Sequence, residues 1–173
     1  EEVPTVNKGN RLYHTIGLGV MGLHTAFALH QIKYGSKESL EFTEAYFLAL
    51  NYYSLVSSNR IARERHETFY EFADSSYADG SYFSPYVEQD FVFRFPKIAA
   101  IFKDIPIPTK EDWKVLREKV MKDGLYHRNR LAVAPNGSIS YINETSASLH
   151  PITQLVENRQ EKKVGSIFYP APY

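Results

Sequence analysis

The 173-residue sequence predicts a mainly α-helical fold with a few strands. Three observations carry that expectation. Apolar residues recur at helical spacing from Leu12 to Phe27, the stretch from Ser39 to Glu67 contains neither glycine nor proline, and the segment Thr109 to Gly124 carries both a start and a stop signal. Strand-like runs are few and short.

The elements follow in order. Residues 1–8, EEVPTVNK, are polar and are expected to be extended or poorly ordered. Leu12, Ile16, Val20, Leu23 and Phe27 then stand four, four, three and four residues apart, the apolar stripe of a single helix of about twenty residues. Gly35 closes that helix and Ser36 caps the next. From Ser39 to Glu67 the residues are apolar on most faces through the middle, as in a helix buried on several sides, and Arg60, Arg63, Arg65 and His66 place positive charge at the end where the helix dipole favours it.

Residues 69–95 lose the helical period and crowd aromatic rings among Ser, Asp and Gly. They read as a structured loop anchored by its rings, with one short helix near 80–88; a second follows near 96–103. Nucleobase stacking is the alternative use of such rings, and the lack of a basic surround weighs against it. Thr109, with Pro108 before it and Asp112 three residues after it, forms a capping box for a helix that holds Trp113, Leu116 and Val120 and ends at Gly124. LAVAP, 131–135, reads as a buried strand, and QLVENRQ and VGSIFYP read as two strands joined by a charged EKK turn.

The length fits one domain with one core, and no repeat, low-complexity segment or domain boundary is visible. Twenty basic and twenty acidic residues cancel, so there is no electrostatic footprint for nucleic acid or an acidic membrane. No apolar run approaches the roughly 20 residues that cross a bilayer, and EEVPTVNKGN is too acidic for a secretory signal. A soluble, cytoplasmic protein is expected. The chain begins without methionine and ends on FYPAPY, which reads as a piece of something longer. Cysteine is absent, so within these residues there is no disulfide, thiolate metal site or cysteine nucleophile.

Gly17, Gly19 and Gly22 match the dinucleotide fingerprint G-x-G-x-x-G. That chemistry needs a strand ending at the first glycine, whereas the residues before Gly17 carry a helical period. The glycines therefore read as sites of close packing against another element. The six histidines form no HExxH and no i, i+4 pair with an acidic partner, so no metal site is expected. Two N-x-S/T sequons, at Asn136 and Asn143, would matter only in a secreted chain.

The stretch LAVAPNGSISYINETSASLHP, 131–151, holds six hydroxyl side chains, Ser138, Ser140, Tyr141, Thr145, Ser146 and Ser148, within eleven residues. Two readings are open. In one, Asn-Gly turns a β-hairpin in which Leu131, Val133, Ile139 and Tyr141 alternate across two strands. In the other, the chain turns at Gly137 into a helix starting near Ser138, whose free amides and serine hydroxyls face an anion.

This stretch closely resembles the phosphate-binding segment of the ribonucleotide reductase large subunit, in the form found in the class Ib ribonucleoside-diphosphate reductases of bacteria. HTIGLGVMGLHTAF, ERHETFYEFADSSYADGSYFSPY and IFYPAPY resemble further parts of that family in the same order, so nearly the whole chain is covered. The resemblance implies that residues 1–173 are a single C-terminal-half fragment of a ten-stranded α/β barrel. Pro135, Asn136, Gly137, Ser138, Ile139 and Ser140 would then contact the diphosphate of a ribonucleoside diphosphate. In that picture the amides of Gly137, Ser138 and Ile139 and the hydroxyls of Ser138 and Ser140 are donors. Asn136 stands where the family usually has threonine, and that contact changes with it.

The implied reaction replaces the 2′-OH by hydrogen through a cysteine thiyl radical, with a cysteine pair as reductant and an Asn and a Glu assisting. No cysteine lies in these residues, so no catalytic residue, metal or cofactor is assigned here, and the fragment is not expected to be active alone. The implied partners are a metal-containing small subunit that supplies the radical, a glutaredoxin-like or thioredoxin-like reductant, and a second copy of the full subunit. The family's radical-carrying tyrosines lie nearer its C-terminus, and neither Tyr169 nor Tyr173 is assigned to them. A non-catalytic helical interaction module derived from the same fold is one rival; an unrelated phosphate-binding transferase is the other.

Overall fold

The computed structural model describes residues 3–161 and 165–171. The chain divides into two compact units: one comprises the residues up to Gly17 together with Glu41–Leu131, the other Leu18–Leu40 together with the residues from Ala132 onward.

The first unit opens with α1 (Pro4–Tyr13), where residues 4–8 were expected to be extended. Proline at the first helical position needs no amide partner and already has the helical φ. α1 stops at His14, which is left-handed at φ 46°, with its N–H on the Asn10 carbonyl. The long helix expected from Leu12 to Phe27 is therefore two helices with residues 14–22 between them. Non-local bonds replace the helical ones here, since Arg128 donates to the Tyr13 carbonyl and Ile16 to that of Asn129, both at 3.0 Å. The four-residue spacing of Leu12 and Ile16 is thus incidental; Ile16 is 45% exposed.

α3 (Lys37–Arg65) runs through the expected glycine-free stretch, opened by Ser36, whose Oγ accepts from the Ser39 amide. It buries Glu41, Phe42, Ala45, Ala49, Asn51, Leu55, Ser58, Asn59 and Ala62, and between 41 and 59 only Glu44, Tyr53, Val56 and Ser57 are exposed, so its middle is covered on several sides as expected. 3₁₀ turns at Phe72–Asp74 and Ser81–Phe83, then α4 (Ser84–Val87) and α5 (Pro96–Ile101), occupy the aromatic segment and its sequel as expected. The rings do anchor it. Phe69 and Phe83 join Leu55, Trp113, Leu116, Val120 and Leu125 in one core, and Trp113 stacks on Tyr86 at 4.2 Å and meets Tyr52 edge-on at 5.0 Å.

α6 (Lys110–Asp123) has the capping box in full: Thr109 Oγ1 accepts from the Asp112 amide at 3.2 Å, and the Asp112 carboxylate accepts from the Thr109 amide at 2.8 Å. Gly124 ends it at φ +79°, where a Cβ would lie 2.2 Å from Thr68 Cγ2. The buried Glu41 carboxylate of this unit is hydrogen-bonded. Burial alone would raise the Glu41 carboxyl, but the amides of Arg94 and Phe95 and the Arg94 guanidinium outweigh it and hold it below the ordinary glutamate value.

The second unit contains α2 (Leu23–Leu29), α7 (Gly137–Ile142) and an antiparallel hairpin of β1 (Val156–Glu161) and β2 (Gly165–Pro170), paired from Val156 with Pro170 to Glu161 with Gly165. The hairpin agrees with the two strands read from the sequence; Lys162 and Lys163 of the expected turn, like Tyr173, lie outside the described residues. LAVAP does not form the expected buried strand. Residues 132–136 are irregular, and Val133 is 68% exposed because only the Ala132 amide finds a backbone partner, the Leu18 carbonyl at 3.0 Å. The described strands form one two-stranded sheet, and no barrel closes among the described residues.

Candidate functional site

The stretch 131–151 adopts the turn-and-helix form, not the hairpin. Asn136 is left-handed, at φ 47° and ψ 31°, and reverses the chain so that α7 starts at Gly137. Asparagine tolerates that conformation better than a β-branched residue. The first i to i−4 bond of α7 runs from the Ser140 amide to the Asn136 carbonyl at 3.1 Å. The amides of Ser138 and Ile139 precede it, at the end of a helix where N–H groups lack intrahelical acceptors, and both residues are exposed.

The six expected contact residues do not all face the same way. Pro135, Ser138 and Ile139 are exposed. Asn136 turns its Nδ2 onto the Val20 carbonyl at 3.2 Å, and Ser140, 2% exposed, donates its hydroxyl to the Gly137 carbonyl at 2.8 Å. A serine hydroxyl has one proton to give, so Ser140 closes the turn and does not offer a donor outward. Asn136 likewise spends this donor on the fold.

The hydroxyls of Thr145, Ser146 and Ser148 also face inward. Ser146, 3% exposed, and Thr25 make a reciprocal pair: the Ser146 amide donates to Thr25 Oγ1 at 2.9 Å, and the Thr25 amide donates to Ser146 Oγ at 3.2 Å. The Gly22 amide donates to the Ser146 carbonyl at 2.8 Å. Thr145 Oγ1 and Ser148 Oγ are buried without a hydrogen-bond partner. Ser146 lay within the hydroxyl-rich stretch, but Thr25 carried no signal in the sequence, because its partner is 121 residues away.

Two glycines of GLGVMG, Gly19 and Gly22, have a packing reason. A Cβ at Gly19 would lie 2.6 Å from the Ala132 carbonyl oxygen, and Gly22, at φ +79°, would bring one to 3.1 Å from Thr145 Cβ. Gly19 and Gly22 are not in mid-helix as expected, yet the packing role read for them holds, since each lies against the chain's own 132–146 segment. Further along, His24 Nδ1 accepts from the Ile152 amide at 2.6 Å, and burial lowers its pKa, so the ring is held neutral as that bond requires.

In the first unit, an open cleft of about 880 Å³ is lined by Asn51, Tyr82, Tyr86, Arg94 and Trp113 among others. Burial, then neighbouring Tyr82, pushes Tyr86 up to about 12, so at neutral pH it is a protonated hydrogen-bonding group. Among the described residues no group of three or more His, Asp or Glu could hold a metal ion, and no helix is long and apolar enough to cross a membrane.

Comparison with known proteins places these features in a family. The ribonucleotide reductase barrel domain matches residues 1–173. The ribonucleoside-diphosphate reductase subunit alpha of Bacillus subtilis (strain 168) is 42% identical over 98% of this chain and 24% of that protein. The nrdEB subunit alpha of Bacillus phage SPbeta is 43% identical over 98% of this chain and 16% of its own length, and the Mycoplasma genitalium subunit alpha is 41% identical over 99% and 24%. The chain thus spans a quarter or less of the length of these relatives.

Proposed function

We propose that this chain, which belongs to the ribonucleotide reductase barrel-domain family, carries the diphosphate-binding turn of a class Ib ribonucleoside-diphosphate reductase alpha subunit. The observation that supports this most directly is the exposed first turn of α7. There the amides of Ser138 and Ile139 stand ahead of the first helical hydrogen bond, beside the exposed Ser138 side chain. Such amides, with the partial positive charge of the turn, suit phosphate oxygens and carry no base preference. Family membership supplies the substrate class.

On this reading the chain binds and orients the substrate but does not react with it. Replacing the 2′-OH by hydrogen expels that hydroxyl as water and consumes two electrons, which the family draws from a cysteine pair. These 173 residues contain none, so the thiols lie elsewhere in the subunit. The turn grips the diphosphate and thereby places the ribose against those distant groups. The reading includes a radical-supplying, metal-containing small subunit, a thioredoxin-like or glutaredoxin-like reductant, a homodimeric full subunit in the cytoplasm, and for this segment a place in a ten-stranded α/β barrel.

The rival, a helical interaction module without catalysis, draws on the exposed Leu29, Ile142 and Leu155, at 72%, 81% and 77%. Binding separates the two. In the full subunit, Ser138→Ala is expected to weaken ribonucleoside diphosphate binding by about 1.5–3 kcal/mol, the range for a hydrogen bond to a charged group. Unchanged affinity by calorimetry, with the fold intact, would favour the interaction module.

A further inference from the structure

The turn that the preceding reading assigns to the diphosphate is held from behind by one continuous piece of chain. Leu18 and Val20, two residues apart in the segment that leads into α2, turn their carbonyls to the Ala132 amide at 3.0 Å and to Asn136 Nδ2 at 3.2 Å. Gly22 then gives its amide to the Ser146 carbonyl at 2.8 Å, and Thr25 closes the reciprocal pair with Ser146. These bonds grip the segment ahead of the turn, the residue that reverses the chain, and the segment after α7. The glycines permit the approach, since a side chain at Gly19 would strike the Ala132 carbonyl.

We propose that Thr25 and Ser146, together with the glycine-bearing backbone from Leu18 to Gly22, are positioning residues that fix the α7 turn for the diphosphate. The proposal rests on the diphosphate reading and adds a division of labour to it. Ser138 and the amides beside it would touch the ligand; Thr25 and Ser146 would never touch it and would act through the turn. Asn136 belongs with the second group, anchored to Val20. The pair is suited to the task because each bond joins a backbone amide to a buried hydroxyl. A shift of either segment by an ångström breaks both bonds, and misplacement on that scale is enough to spoil the alignment of a bound substrate.

The test uses the full subunit and compares two probes, a ribonucleoside diphosphate and the corresponding ribonucleoside without phosphates. Thr25→Val removes the Oγ1 acceptor at nearly constant shape; Thr25→Ser restores it. Thr25→Val is expected to weaken the diphosphate about tenfold while leaving ribonucleoside affinity within about twofold, and Thr25→Ser to return the diphosphate to its original affinity. Ser146→Ala, which removes only the acceptor for the Thr25 amide, is the second variant should Thr25→Val fail to fold, with the same selective loss expected. Equal weakening of both probes would mean a general structural role and would overturn the proposal. So would an unchanged diphosphate affinity in a subunit where Ser138→Ala does weaken it. If Ser138→Ala has no effect either, the diphosphate reading itself fails and this inference falls with it.

Discussion

Trp113 in the first unit and Ser146 in the second are almost equally buried, at 1% and 3% exposure, and they hold their surroundings by opposite means. Around Trp113 the contacts are apolar and aromatic, with Tyr86 stacked on it and Phe83, Leu116 and Val120 packed in the same core. Around Ser146 the contacts are directional: its amide, carbonyl and hydroxyl each hold a separate bond. Apolar burial is strong but tolerates sliding, whereas a hydrogen bond weakens steeply with misalignment. A core that only has to be stable can rely on the first. A turn that has to meet a ligand in one place needs the second.

The contrast can be broken most directly at Trp113. Trp113→Ala is expected to lower stability by about 3–5 kcal/mol, the range for truncating a large buried aromatic, read by urea unfolding followed by circular dichroism. A loss under about 1 kcal/mol would mean that the aromatic packing is not what holds the first unit.

A pH titration sharpens the other side. His24 accepts from the Ile152 amide only when its ring is neutral, and its folded pKa lies below the ordinary histidine value. The folded state therefore binds fewer protons than the unfolded one across that interval. The stability this group contributes is complete above the ordinary value and is lost as pH falls toward the lowered one. The hydrogen-exchange protection factor of the Ile152 amide, corrected for intrinsic rate, is expected to fall about tenfold per pH unit through that window and then level off. A flat profile would show that the bond does not govern the local opening.

The smallest effect is expected at the edge of the apolar core. Thr109→Ala removes one half of the α6 capping box and should cost about 1 kcal/mol. Calorimetric melting would detect it, and a loss several times larger would mean that the cap, and not the core, limits α6.

How much of this could be read in advance follows from the range of each interaction. The box at Thr109 and Asp112, the stop at Gly124 and the anchoring rings between 69 and 95 were legible, because caps are settled within four residues and aromatic crowding is a matter of composition. The break between Tyr13 and Leu23 was not: the apolar spacing is helical, and the bonds that override it come from residues 128 and 129. LAVAP misled for the converse reason, since an apolar run shows that burial would be favourable but does not supply the strand that would pair with it. At 135–140 the local pattern allowed both a hairpin and a helix start, and only resemblance favoured the turn.

The sequence by itself determined the mainly helical character, the capped α6, the want of any thiol in these residues and the presence of a hydroxyl-rich turn after an apolar run. Those are properties of composition and of neighbours a few residues apart. Which hydroxyls face outward was decided by the tertiary structure alone. Ser140 and Ser146 resemble Ser138 in sequence, yet one closes its own turn and the other meets Thr25 across 121 residues, leaving Ser138 exposed at the start of α7. A hydroxyl's partner is fixed by geometry at about 3 Å, and only the folded chain brings such distant atoms that close.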